Sequence, residues 1–403
     1  MTVETRIPRS GPWTPRTAVQ LTVLAGAAFV YATAEILPVG ALPAIAPGLN
    51  VSEALVGTLL AWYAVVAAVT TIPLVRWTAQ WPRRRVLLLT LLCLTVSQAI
   101  SALAPNFTVL VAGRVLCAVT HGLMWSVLAP IATRLVPPSY SGRATTVIYL
   151  GTTLALVVGV PLTSAMSLLW GWRSAIAVIT VAAALITLVA RAALPELVLT
   201  ADQRALVGRH HYRNGRLVGV SAVMLSAVTG HFISYTFIAV IIADVVGVPG
   251  ARLAWLLAVF GLAGLVVMPL LARPLDLRPK ITTGSCMAAL SAAFVLLAAL
   301  SIAGRHTVGV AVLGAAAIVL WGATAMAVSP MLQSAAMRTS PEDPDGASGL
   351  YVTAFQIGIT AGSLTGGLLF ERAGMSAMLG TSALLVGVAA LGIAASKRLF
   401  VVY

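Results

Sequence analysis

Twelve apolar stretches divide the sequence, and each is long enough to cross a lipid bilayer as a helix. The hydrocarbon core is ~30 Å thick, so a helix rising ~1.5 Å per residue needs about 20 apolar residues to span it. Because the core holds no water, the backbone must satisfy its own hydrogen bonds, as a helix does. The stretches cover residues 18–43, 53–75, 86–104, 107–133, 143–168, 173–194, 217–243, 251–272, 280–303, 307–334, 347–370 and 374–396. We number them from the first span to the twelfth.

The composition argues against a soluble or nucleic-acid-binding protein. Of the 403 residues, 60% are hydrophobic and 9% are charged, whereas soluble domains have ~45–50% apolar and ~25% charged residues. The formal net charge of +14 is the Lys and Arg excess expected in the cytoplasmic loops of a membrane protein. Arg far outnumbers Lys, as is typical of a GC-rich bacterial genome. We expect a multi-pass protein of the bacterial cytoplasmic (inner) membrane.

The positions of the basic residues predict the orientation. When both termini are placed in the cytoplasm, the outer loops hold only Arg173, Arg252, Arg305 and Arg372 of the 25 Lys and Arg residues. Cytoplasmic loops of membrane proteins carry such an excess of basic residues. We therefore expect both termini to be cytoplasmic.

One longer polar segment, residues 195–216, divides the chain nearly in half. We interpret it as a cytoplasmic linker between two six-helix bundles, residues 1–194 and 217–403. The fifth span (SGRATTVIYLGTT) and the eleventh (DGASGLYVTAFQI) begin alike, and the fourth and tenth each have a Pro inside. Two six-span halves in the same orientation form a parallel repeat, with a pseudo-two-fold axis and a substrate site between them near the midplane.

Four groups of residues carry a family resemblance. They are Thr33–Gly40 with Leu42 and Pro43, Trp62–Ala64, Gly113 and Arg114 with Thr120–Ser126, and Gly230–Phe232 with Tyr235–Ile238. The whole chain resembles the major facilitator superfamily, and in particular its twelve-span drug and sugar efflux transporters of the arabinose-efflux permease type. The resemblance implies a transporter that works by alternating access.

Two of that superfamily's motifs are incomplete in this chain. In the loop after the second span, Arg84 and Arg85 match the basic pair, but Gln80 stands at the acidic position. The loop after the eighth span keeps an acid, Asp276. The antiporter motif of the fifth span survives only as Gly151, Gly159 and Pro161, while Gly362 and Gly366 enrich the eleventh span. We expect these residues, together with Pro38 and Pro43, to shape the gating helices.

Glu35 is the only acid deep inside any span, and such residues usually serve a function. It lies about eight residues, or ~12 Å, from the outer end, and Arg114 lies at a similar depth in the fourth span. His121, seven residues on, shares a helix face with Arg114. We expect these three residues to couple transport to protons, because a carboxyl group that alternates between dry and cationic surroundings changes its proton affinity. Alternatively, Glu35 and Arg114 form a permanent pair, and His121 is hydrogen-bonded without titrating.

Aromatic and polar residues predict the substrate site. We assign substrate binding to Tyr31, Trp62, Tyr63, Trp125, His231, Tyr235, Phe355 and Gln356, and the surrounding set adds Phe232, Phe237, Trp321, Met326 and Tyr351. An apolar cavity with a few polar groups suits a small amphiphilic molecule.

Three functions are consistent with these features. The first is proton-coupled export of a small amphiphile, such as an antibiotic, a sugar or a metabolite, by a secondary active transporter. The second is uptake or facilitated diffusion of a small organic anion with Arg114 as its counter-charge. A membrane-embedded enzyme is the third, but the sequence has no metal-binding H-E-x-x-H motif and no phosphate-binding glycine-rich motif. We expect no cofactor or metal, and a monomer whose partners are its substrate, protons and lipid.

Overall fold

The computed structural model describes residues 14–198, 214–248, 251–304 and 307–396, and no strand occurs in these ranges. Helices form the first span (Pro15–Gly40), the second (Glu53–Trp77), the third (Arg83–Ala102), the fourth (Phe107–Arg134), the fifth (Pro138–Trp170) and the sixth (Trp172–Ala193). The seventh is Gly215–Tyr235, the eighth Ala251–Leu277, the ninth Pro279–Ala303 and the tenth Val308–Thr339, while Pro344–Ala395 contains the eleventh and twelfth. Short helices Leu42–Gly48 and Ile238–Asp244 follow the first and seventh spans.

The all-helical membrane fold is confirmed, while the number twelve stays a prediction. Within the described ranges, ten helices are long and apolar enough to cross a membrane. One of the ten, Pro344–Ala395, has 52 residues and is interrupted by Gly374, whose φ of +82° lies outside the helical region. Gly171, with φ of +83°, makes the corresponding turn between the fifth and sixth spans. Such backbone angles are nearly restricted to glycine.

The first span ends three residues earlier than predicted. Its helix stops at Gly40, and Pro43 instead lies near the start of the short helix Leu42–Gly48. Proline has no backbone N–H and cannot continue the hydrogen-bond pattern of a preceding helix, but it is well tolerated in the first turn of a new one.

The fifth span is irregular where the sequence places a proline. Residues Ala155–Gly159 form a π-helical turn between Ser141–Leu154 and Val160–Trp170, and Pro161 lies directly after it. Single π-turns inside α-helices are often found at functional sites.

Buried apolar side chains form two clusters, one between Leu21 and Leu194 and the other between Leu217 and Ile393. This division matches the predicted halves, although the domain boundaries themselves stay predictions. Of the predicted linker, the described residues 195–198 contact the third span: the carbonyl of Leu197 accepts from the amide of Arg83. Residues 199–213 lie outside the described part of the chain.

Glycines bring equivalent pairs of spans close together in the two halves. A Cβ on Gly151 would collide with the backbone carbonyl of Ala25, and one on Gly159 would collide with Thr33. In the other half, a Cβ on Gly362 would lie 2.6 Å from the carbonyl oxygen of Thr229, and one on Gly366 would collide with that of Ile233. The fifth span therefore packs on the first as the eleventh packs on the seventh.

Two adjacent glycines of the eleventh span allow a matched test of this packing. In Gly366→Ala the new methyl group meets backbone atoms of the seventh span, whereas in Gly367→Ala it meets nothing within 4 Å. We expect Gly366→Ala to lose about 1–3 kcal/mol of stability, as overpacking does. Gly367→Ala should retain the wild-type melting temperature or exceed it, since alanine favours helix. Thermal unfolding in detergent measures both, and equal melting temperatures would contradict the packing argument.

Candidate functional site

Arg114 binds carbonyl groups of the first span rather than a carboxylate. Its Nη1 donates to the carbonyl of Ala34 at 2.7 Å and its Nη2 to that of Glu35 at 2.6 Å. The carbonyl of Ala34 is available because the residue four positions later is Pro38, which has no amide hydrogen to donate to it. Arg114 is buried and lies 4.9 Å from the centre of the Tyr63 ring. Arg114 therefore replaces the hydrogen bond that Pro38 removes from the carbonyl of Ala34.

The Glu35 carboxylate instead points towards a histidine. Its Oε2 lies 3.7 Å from Nδ1 of His121. The same Nδ1 is hydrogen-bonded to the Tyr63 hydroxyl at 3.0 Å. The Glu35 side chain is 19% exposed and the His121 side chain 5%. Within the described residues no ion pair joins the Glu35 and Arg114 side chains, so the structure does not show the permanent pair considered above.

Two tyrosines enclose His121. The ring centres of Tyr31 and Tyr63 lie 5.7 and 5.2 Å from that of His121, both in edge-on arrangements. The Tyr31 hydroxyl donates to the carbonyl of Cys117 at 3.1 Å, and the Tyr63 hydroxyl lies 3.2 Å from the Cys117 sulfur. Cys117, which the sequence suggested only as a packing residue, is thus a contact of both tyrosines. We call Tyr31, Glu35, Tyr63, Arg114 and His121 the N-terminal polar cluster.

An aromatic cluster occupies the seventh and tenth spans of the other half. The Trp321 indole donates to Nδ1 of His231 at 3.0 Å. The Tyr235 ring stacks on His231 with centres 5.0 Å apart, and Phe232 lies edge-on at 5.1 Å. We call these four residues the C-terminal aromatic cluster. Trp321 belonged to the wider predicted set, but no sequence pattern indicated that it binds His231.

The remaining predicted substrate residues lie in different surroundings. The Trp125 ring lies 6.2 Å from those of His121 and Tyr149, and it packs on the apolar clusters of both halves. Phe355 is partly buried and Gln356 is buried. Trp62 is 64% exposed, on the same helix face as exposed Val65 and Val69. The structure therefore does not bring Trp62 to the polar cluster that contains its neighbour Tyr63.

Two charged clusters join the halves at the end predicted to be cytoplasmic. In the first, Asp345 of the eleventh span binds Arg134 at 2.6 Å and Arg83 at 3.1 Å. In the second, Asp276 of the eighth span binds Arg143 at 3.1 Å and Arg338 at 3.5 Å. Both acids belong to the C-terminal half. Arg83, Arg134 and Arg143 belong to the N-terminal half, so each cluster connects the two halves.

The basic loop after the second span contributes a different arginine from those predicted. Arg84 pairs with Glu196 inside its own half at 2.6 Å, and Arg85 is exposed. The buried member is Arg83, which also donates to the carbonyls of Thr78 and Ala79. Asp276 also accepts from the amide of Gly142 at 2.7 Å. Among the described residues, no group of three or more His, Cys, Asp or Glu could hold a metal ion.

Residues 24–363 match the model of the Major Facilitator Superfamily. The chain belongs to this superfamily. It is a multi-pass membrane transporter of small molecules, and 68% of its residues over 391 positions are identical to those of a protein named chloramphenicol efflux pump in Mycobacterium tuberculosis strain H37Rv. That alignment covers 96% of this chain and 94% of the relative, and a relative with the same name in strain CDC 1551 matches equally.

Solved structures of the superfamily share the fold at low sequence identity. The human organic anion transporter MFSD10 superposes with a TM-score of 0.75 at 18% identity, covering 94% of this chain and all of that one. The E. coli fucose:proton symporter gives 0.74 at 16% identity, with 94% and 98% of the two chains covered. These likenesses confirm the major facilitator fold.

A double-mutant cycle tests the link between Arg114 and Pro38. Arg114→Ala should destabilise this transporter, because it leaves the buried carbonyl of Ala34 without a donor, at about 1–3 kcal/mol. Adding Pro38→Ala supplies an amide that can bind the carbonyl of Ala34, so the double variant should regain part of the loss. Thermal unfolding gives the coupling energy, which we expect to be at least about 0.5 kcal/mol. Strictly additive effects would contradict the link.

A second test concerns the charged clusters. Asp345→Asn leaves Arg83 and Arg134 without their carboxylate, and removing one partner of a buried pair costs about 3–5 kcal/mol. We expect the distance between spin labels placed at the exposed positions Arg85 and Leu277 to increase. Double electron–electron resonance measures this distance. The control is Glu196→Gln, whose exposed pair lies within one half and is worth at most ~1 kcal/mol. Unchanged distances in Asp345→Asn would show that the cluster does not hold the halves together.

Proposed function

We propose that this transporter exports a small amphiphilic drug in exchange for protons, with chloramphenicol as the first candidate substrate. The observation that carries the proposal is the 68% identity, over nearly the whole chain, to proteins named chloramphenicol efflux pumps. On this proposal the protein acts as a monomer in the bacterial inner membrane, with both termini in the cytoplasm and no need of nucleic acid, metal or cofactor.

The N-terminal polar cluster supports a proton-binding role for Glu35. Its carboxylate is partly accessible, and within the described residues no arginine binds its oxygens, so proton uptake breaks no arginine–carboxylate pair. The Tyr63 hydroxyl can both donate and accept a hydrogen bond, so it can serve His121 in either charge state. Proton uptake from outside and release to the cytoplasm would then drive the drug outwards, as alternation of one central site between two openings requires.

Arg114 is poorly placed to be the counter-charge for an organic anion. Two of its three nitrogen atoms bind carbonyl oxygens, and its Nε is enclosed in the protein. An incoming anion would have to displace the carbonyls of Ala34 and Glu35, the first of which Pro38 leaves in need of a donor. These contacts favour export over the alternative of anion uptake. They also favour a structural role for Arg114 in holding the first span against the fourth.

Charge removal at Glu35 tests the proposal in proteoliposomes. We expect Glu35→Gln to keep exchange of labelled chloramphenicol across vesicles without a pH gradient, since the amide retains the shape of the side chain. Uptake driven by a pH gradient should fall at least tenfold, because the amide binds no proton. The control, Glu371→Gln, changes an exposed acid and should transport like wild type.

Two other outcomes of these transport assays would contradict parts of the proposal. Undiminished gradient-driven uptake in Glu35→Gln would contradict the proton-binding role but leave export standing. Wild-type protein that moves organic anions inwards, independently of pH, and does not move chloramphenicol would favour the alternative function.

A further inference from the structure

The two histidines inside the membrane spans have partners of opposite hydrogen-bonding character. Nδ1 of His231 accepts from the indole N–H of Trp321, and an indole can only donate. Nδ1 must therefore remain unprotonated, and the neutral ring carries its hydrogen on Nε2. Nδ1 of His121, in contrast, faces a tyrosine hydroxyl and a carboxylate, both of which can accept.

Trp321 is held firmly in the orientation that this contact needs. Its side chain is fully buried. The rings of Phe260 and Phe294 lie edge-on to it, with centres 5.6 and 4.7 Å away. An indole confined on these sides cannot turn its N–H elsewhere, so it fixes both the orientation and the tautomer of His231. Trp321 is therefore a positioning residue.

Among the residues that the structure describes, none places a charge beside His231 that could reverse this preference. Its contacts are the aromatic rings of Phe232, Tyr235 and Trp321. Among the described residues of the tenth, eleventh and twelfth spans, no charged side chain acts on it. The imidazole is thus a neutral group in an aromatic environment.

Nε2 of His231 is left available for a ligand. Within the described part of the chain no residue hydrogen-bonds to it, and it is not among the enclosed polar atoms that lack a partner. The residue is partly buried. A single N–H donor beside the rings of Tyr235 and Phe232 matches an aromatic ring that carries a group with acceptors only, such as a nitro group.

We propose that Trp321 fixes His231 as a neutral hydrogen-bond donor, and that this donor binds an acceptor-only group on an aromatic ring of the exported molecule. The inference rests on the proposed function and deepens it. The two histidines then have different roles, since His121 lies beside the proton-binding carboxyl group whereas His231 selects the substrate. Uncharged nitroaryl compounds suit the C-terminal aromatic cluster, because their nitro group can accept from His231. Cations that carry only donor groups do not suit it.

Binding to the purified transporter tests the contact itself. The probes are chloramphenicol, whose nitro group has only acceptors, and an analogue with hydrogen in place of that group. We expect His231→Leu to weaken chloramphenicol binding about tenfold, as loss of one buried hydrogen bond does. The analogue should bind His231→Leu and wild type alike. His231→Gln, whose amide also donates, should lose less than His231→Leu.

Nitrogen NMR of the ¹⁵N-histidine-labelled protein tests the role of Trp321. The five histidines give few signals, and His231→Gln identifies the one of interest. In wild type it should show hydrogen on Nε2 only, unchanged between about pH 5.5 and 8. Trp321→Phe keeps an aromatic ring but removes the N–H, so we expect mixed tautomers or titration. A wild-type His231 that titrates in this range, or carries hydrogen on Nδ1, would overturn the assignment.

The results separate this inference from the proposed function. If wild type binds chloramphenicol but His231→Leu weakens both probes equally, the donor contact is wrong and drug export still stands. If wild type binds neither probe, both the proposed function and the contact are wrong.

Discussion

A proline inside a membrane-spanning helix leaves a carbonyl oxygen without its amide, and the bilayer offers no water to replace it. In this transporter Pro38 creates that defect at Ala34, and Arg114 of the fourth span satisfies it. The arginine in turn needs buried acceptors, because a charged group in the membrane must find polar partners. The proline in the first span and the arginine in the fourth thus supply each other with hydrogen-bond partners. Glu35, one residue beyond the defect, gives Arg114 its backbone carbonyl and directs its carboxylate towards His121.

The two halves share a scaffold but differ in the chemistry of their central surfaces. Both use glycines to pack equivalent spans backbone to backbone, and both turn between their last two spans at a single glycine with positive φ. The N-terminal half concentrates acid, base and hydroxyl groups that can exchange protons. The C-terminal half presents aromatic rings around one imidazole. On the proposed function, the N-terminal surface would bind the proton and the C-terminal surface the body of the drug.

Much of this could be predicted from the sequence. Apolar length located the helices but missed the breaks after the first and seventh spans, where the short helices Leu42–Gly48 and Ile238–Asp244 follow. The rarity of ionisable residues inside the spans drew attention to Glu35, Arg114 and His121. The contacts among these three residues could not be predicted. Their similar depth placed Arg114 beside Glu35, but it did not show whether Arg114 would bind the side-chain carboxylate or the backbone carbonyl of Glu35. Trp62 and Tyr63 are neighbours in sequence but lie on different helix faces. The burial of Arg83 could not be predicted, because the sequence does not show which of three adjacent arginines the helix turns towards the protein interior.

The charged clusters have a consequence for how the halves recognise each other. At the end predicted to be cytoplasmic, the N-terminal half presents Arg83, Arg134 and Arg143, while both acids, Asp276 and Asp345, come from the C-terminal half. An N-terminal half paired with a copy of itself would bring only guanidinium groups together at that end, and like charges in such contact repel. Although the halves share one architecture, their charges make them complementary rather than interchangeable. The charge pattern therefore favours the pairing of unlike halves over the pairing of like ones.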